Sequence, residues 1–139
     1  ETECRRLGAE GARVRLCVGS YPAGRAVSHV TEHDKALALV RCLRILMESR
    51  AYPMLATHDP RIIELAQELA LRNGRGPESF EYQMFHGVRP LEQRRLADIG
   101  LRCRTYIPFG PGWYGYLATR MAARPRILFS YARALLDKR

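Results

Sequence analysis

Short apolar or alternating runs recur along the chain, separated by segments of helical period. Arg13-Val14-Arg15-Leu16-Cys17-Val18-Gly19-Ser20-Tyr21 reads as a buried strand that stops on a glycine and sets a tyrosine just past its end. Met54-Leu55-Ala56-Thr57-His58, Phe80-Glu81-Tyr82-Gln83-Met84 and Thr105-Tyr106-Ile107-Pro108-Phe109-Gly110 are of the same kind. Each ends in a polar or aromatic residue before a helical pattern, and the strand starts fall near 13, 54, 79 and 102.

The intervening helices carry their own start and stop signals. Thr31-Glu32-His33-Asp34 is a capping sequence, with Ala36, Leu39, Val40, Leu43 and Met47 on one stripe behind it. Asp59-Pro60 is an N-cap and N1 pair before Ile62, Ile63, Ala66, Leu69 and Ala70, and Asn73-Gly74 is the stop. Pro90 opens a third helix with Leu91, Leu96 and Ile99 apolar and Gly100 just past its end. Two more run from about Gly112 to Ala123 and from about Arg126 to Asp137.

The resulting order, β-α-β-α-β-α-β-α-α, predicts an α/β protein with parallel pairing through right-handed crossovers. Four strands and five helices suit either an open sheet covered on both faces or half of a (β/α)8 barrel. At 139 residues the chain is expected to form a single domain over 1–139, short for a closed eight-stranded barrel, which takes roughly 250 residues. No run of about 18 apolar residues is present and Glu1-Thr2-Glu3-Cys4-Arg5-Arg6 lacks an apolar core behind its charges, so a cytoplasmic location is expected, with no signal peptide.

Charge and cysteines narrow the picture further. The formal net charge is +9, but the 21 Arg and 2 Lys are scattered, with no block longer than Arg5-Arg6 or Arg94-Arg95. That distribution is a solvated surface rather than a nucleic-acid footprint, and no nucleic-acid partner is expected. Cys4, Cys17, Cys42 and Cys103 show no C-x-x-C spacing, and Cys17 and Cys42, in apolar runs, read as small core residues. His29 and His33 have i, i+4 spacing without a third ligand nearby, so no metal is expected. Loops at the carboxyl ends of barrel strands carry chemistry, so the tips bearing Tyr21, His58, Gln83 and Tyr106 should converge on one site.

Four ordered blocks resemble the proline dehydrogenase family: Gly11 to Tyr21; Tyr52-Pro53-Met54-Leu55-Ala56-Thr57-His58-Asp59; Phe80 to Arg89; and Tyr106-Ile107-Pro108-Phe109-Gly110 with Trp113-Tyr114-Gly115-Tyr116 and Arg120. The resemblance is to the carboxyl-terminal half of a flavin-containing (β/α)8 barrel, strands five to eight, which another chain or a second copy would complete. It implies oxidation of L-proline, or a similar small amino acid, to pyrroline-5-carboxylate with FAD as cofactor. A quinone, membrane-associated, would be the electron acceptor, with the protein peripheral to the inner face of a membrane.

By the same resemblance Tyr21, Tyr106 and Arg120 are catalytic-site residues. Leu16, Tyr21, Phe85, Tyr106 and Arg120 would contact the substrate, and Arg15, the Cys17 backbone and His58 would contact FAD. The chain departs from the family where Val18 replaces a lysine, where Thr119-Arg120 replaces two arginines and where Ala123 replaces a glutamate. A half-barrel interaction module without catalysis is the alternative these departures imply.

Overall fold

The computed structural model describes residues 1–19, 28, 29 and 31–123, without the side chains at 117 and 120–123. Helix α1 (Thr2–Ala9) leads into strand β1 (Arg13–Cys17), and α2 (Glu32–Glu48) connects it to β2 (Tyr52–Ala56). Helix α3 (Pro60–Arg72) and a 3-10 turn at Pro77–Ser79 lead to β3 (Glu81–Phe85), and α4 (Pro90–Asp98) leads to β4 (Cys103–Tyr106) and then α5 (Trp113–Ala123). Residues 20–27 and the expected helix from Arg126 to Asp137 lie outside the described residues.

The sheet is wholly parallel and ordered β1-β2-β3-β4. Every strand therefore lies beside its predecessor, and right-handed crossovers that always step in one direction place their helices on one face. The core confirms that placement. A row running Leu16, Leu55, Tyr82, Cys103 across the register meets Leu43 and Met47 of α2, Ile63, Ala66 and Leu69 of α3, and Leu96 of α4. Coverage of both faces, one of the two arrangements the pattern permits, is not what the described residues adopt. The sheet is one-sided, consistent with a partial barrel.

Local chemistry accounts for the helix ends. Thr31 Oγ1 accepts from the Asp34 N–H at 3.0 Å and Asp59 Oδ1 from the Arg61 N–H at 3.0 Å. Gly74 and Gly100 take φ of 62° and 80°, and the next residue's N–H bonds back to close a Schellman turn, Arg75 to Ala70 O at 2.9 Å and Leu101 to Leu96 O at 2.9 Å.

Several expectations need correction. Helix α1 was not anticipated, although Gly11 ends it in the same turn; it packs on α2, where Gly8 approaches Ser49 so closely that a Cβ would clash at 2.7 Å. The first and fourth strands end earlier than expected, at Cys17 and Tyr106, and the second begins earlier, at Tyr52. Cys17 is exposed, because its alternation places it on the uncovered face, and Cys42 is only half-buried. Leu91 and Ile99 of the α4 segment are exposed, leaving Leu96 as its core contact. No helix among the described residues is long and apolar enough to cross a membrane.

Candidate functional site

The uncovered face is where polar residues recur with period two on three strands: Arg13 and Arg15 on β1, Glu81 and Gln83 on β3, Arg104 and Tyr106 on β4. The parallel register brings them together across β2. Arg15 Nε–H donates to Gln83 Oε1 at 2.9 Å, and Tyr106 Oη–H donates to the same oxygen at 3.2 Å. The Arg15 guanidinium also lies 5.1 Å from the Tyr106 ring centroid and donates through Nη1 to Cys17 Sγ at 3.4 Å. Its other N–H groups have no hydrogen-bond acceptor among the described residues, and they sit in the planar fork that suits acceptor-rich groups.

Glu81 holds the base of this face. It is fully buried, and its carboxylate accepts from Arg104 Nε at 2.8 Å and Nη2 at 3.0 Å, from Gln83 Nε2 at 2.8 Å and from Tyr52 Oη at 3.3 Å, with Arg13 at 3.8 Å. The Arg104 hydrogen bonds, helped by those of Gln83 and Tyr52, hold its carboxyl well below the usual range, at about 2, against the opposing effect of burial. A carboxyl depressed in the folded state adds stability above its unfolded value and loses it as pH falls through its folded value. Between about pH 4.5 and 2 the wild-type chain is expected to shed on the order of 2–3 kcal/mol that Glu81→Gln does not shed; urea midpoints against pH check this.

Above this layer the strand tips form an aromatic mouth. The His58 ring stacks on Phe85 at 5.8 Å between centroids, and its Nε2 accepts the Phe85 N–H at 3.0 Å, fixing the tip of β2 to that of β3. Phe85 lies 5.9 Å from Tyr106 and 6.4 Å from Tyr116. A cleft of about 320 Å³ opens here, lined by Phe85, Tyr106, Ile107, Pro108, Phe109, Gly112, Trp113 and Tyr116. Phe109 and Ile107 are largely exposed within it.

The structure thus gathers Arg15, Cys17, His58, Phe85 and Tyr106 at the carboxyl ends of the strands. Leu16 does not join them: its neighbours in the strand take the open face, so its side chain turns to the helices and packs on the core. Tyr21 lies outside the described residues, and Arg120 lies in α5 with its side chain outside them. Thr119, at the family's other arginine position, spends its hydroxyl on Gly115 O at 2.8 Å. Glu81, Arg104, Tyr52 and Tyr116 were not singled out from the sequence. The alternation of E-x-Q at 81 and 83 against R-x-R at 13 and 15 was the available signal for β1 and β3.

A one-sided parallel sheet with an aromatic, cationic mouth at its strand ends has the layout of a barrel-type site. The model of the family described as proline dehydrogenase matches residues 30–120, and the chain belongs to that family. It is 32% identical over 125 residues to proline dehydrogenase 1 of Bacillus subtilis (strain 168), covering 90% of this chain and 41% of that protein. It is 34% identical over 113 residues to the proline dehydrogenase of Deinococcus radiodurans, covering 81% and 36%. With proline dehydrogenase 2 of B. subtilis (strain 168) the identity is 33% over 119 residues, 85% of this chain and 39% of the relative. The chain spans about two fifths of the length of these relatives.

Proposed function

We propose that residues 1–139 act as one domain, supplying strands five to eight of a proline dehydrogenase barrel that another chain, a second copy or a further segment completes. The reading assigns oxidation of L-proline to pyrroline-5-carboxylate, with FAD as cofactor and a membrane-associated quinone as final acceptor. What carries it is the convergence of Arg15, His58, Phe85 and Tyr106 on one mouth. The donor set suits a flavin: a guanidinium with N–H groups to spare meets a ring edge rich in N and O acceptors, and aromatic walls suit a flat ring.

Flavin, when bound, supplies the two-electron acceptor for the hydride leaving the ring carbon beside nitrogen. This chain's own residues bind and orient. Arg15, the Cys17 backbone and His58 hold the cofactor; Tyr21, Phe85 and Tyr106 wall the substrate; Arg120 takes its carboxylate in a charge-assisted pair. Phe85, Trp113 and Tyr116 keep water from the mouth.

In the complete, flavin-loaded protein, blue-region flavin absorbance is expected to bleach on anaerobic addition of proline. Arg120→Ala is expected to raise KM about ten- to hundredfold relative to Arg72→Ala, and Thr119→Arg to lower it. A protein with its barrel complete that takes up no flavin would sink this reading and favour the non-catalytic half-barrel module, for which the spent hydroxyl of Thr119 speaks.

A further inference from the structure

We infer that Glu81, which lies below the mouth, fixes which way round the Gln83 amide sits, and that Gln83 thereby positions Arg15 and Tyr106. An amide side chain has one accepting end and one donating end, and its neighbours decide between the two orientations. Gln83 is 4% exposed, so neither end has bulk water as an alternative. Its Nε2 faces Glu81 Oε1 at 2.8 Å, and an ionised carboxylate only accepts. The NH2 end must therefore point at Glu81.

The Oε1 end is then turned to the mouth, where it meets the Arg15 Nε–H at 2.9 Å and the Tyr106 hydroxyl at 3.2 Å. A reversed amide would set an N–H donor against Arg15, which has no accepting form, and an oxygen against the carboxylate. Both contacts are repulsive. Arg104, clamped on both carboxylate oxygens, keeps Glu81 charged and still. Polarity thus runs one way, with donors from Arg15 and Tyr106 into Gln83 and from Gln83 into Glu81. Tyr106, its proton committed to Gln83, offers a ligand lone pairs only. Arg15 crosses over β2 to make this contact, at the level where the register sets the small Ala56 beside Gln83.

The orientation stands on the contacts alone, while its effect on cofactor binding rests on the flavin-dependent reading above. The test is an exchange of the two side chains. Gln83→Met removes the acceptor, Gln83→Glu sets two carboxylates face to face, and Glu81→Gln/Gln83→Glu restores a donor opposite a carboxylate with the charge moved two residues along β3. Two readouts are taken on the full protein: the Arg15 Nε–H resonance in ¹⁵N–¹H spectra without ligand, assigned by its loss in Arg15→Lys, and the Kd for FAD.

Gln83→Met is expected to shift and broaden the Arg15 resonance and to weaken FAD about tenfold or more with melting little changed. Gln83→Glu should be worse, and the double exchange should recover most of both readouts; if Gln83→Glu does not fold, recovery of folding in the double variant counts the same way. A double variant no better than Gln83→Glu, or a Gln83→Met protein with the parent's Arg15 resonance, overturns the inference. Failure of the parent to bind FAD, with the resonances behaving as stated, strikes the flavin reading alone.

Discussion

Glu81→Ala is expected to lower the stability of the chain by about 3 kcal/mol, among the largest effects of any single substitution on the open face. The carboxylate is fully buried and is the shared acceptor for Arg104, Gln83 and Tyr52. Alanine leaves the Gln83 amide without its acceptor, the two guanidiniums without their counter-charge, and a void where the side chain was. Arg104 recovers part of the loss because it is half in solvent, which keeps the figure at the lower end for a broken buried pair. The comparison is Glu3→Ala, whose partner Arg6 is joined to it on an exposed helix surface and whose loss should cost about 0.5 kcal/mol or less. Urea midpoints for the two variants settle the matter. Equal losses would show that Glu81 anchors nothing.

Arg75→Met comes next, at about 2–3 kcal/mol. This arginine follows the glycine turn that ends α3, and its half-buried guanidinium donates to carbonyls at the end of α2: Met47 O at 2.7 Å, Leu46 O at 3.0 Å and Ser49 O, with Ser79 O at 3.1 Å beyond. Helix carboxyl ends leave carbonyls without partners, and here one planar fork satisfies several at once while tying α2, α3 and the entry to β3 together. Burial pushes the Arg75 pKa down. Methionine keeps the length and removes every donor. Arg72→Met, on the exposed last turn of α3, should change stability by less than about 0.5 kcal/mol. Thermal melts in which the two variants coincide would show the guanidinium to be ornamental to the fold.

Neither Glu81 nor Arg75 stands out when the chain is read as a string. Glu81 sits in Phe80-Glu81-Tyr82-Gln83-Met84, which has the alternation of a strand, and nothing local says whether the polar side faces water or other side chains. Arg75 is one of 21 scattered arginines, in a loop between two recognisable elements. What was legible were features closed over a few residues. The Thr31 and Asp59 caps, the Gly74 and Gly100 stops and the parallel order all follow from hydrogen bonds and periodicities that span a single turn or strand.

The family blocks were legible for a related reason, since strand tips and the turns after them are contiguous in sequence. They placed Arg15, His58, Phe85 and Tyr106 at one end of the sheet, and the geometry brings those residues within contact. The same blocks did not say that Leu16 would turn to the helices and Cys17 away from them.

The sequence by itself therefore determined the alternation of strands and helices from β1 onward, the caps of α2 and α3, the stops of α3 and α4 and the family, because each depends on neighbours along the chain. Tertiary structure alone decided that α2, α3 and α4 share one face, that Arg15 reaches Gln83 from 68 residues away, and that Glu81 is buried beneath two arginines. Those outcomes depend on the register between strands distant in sequence, and a shift of one residue would send every one of these side chains to the other face.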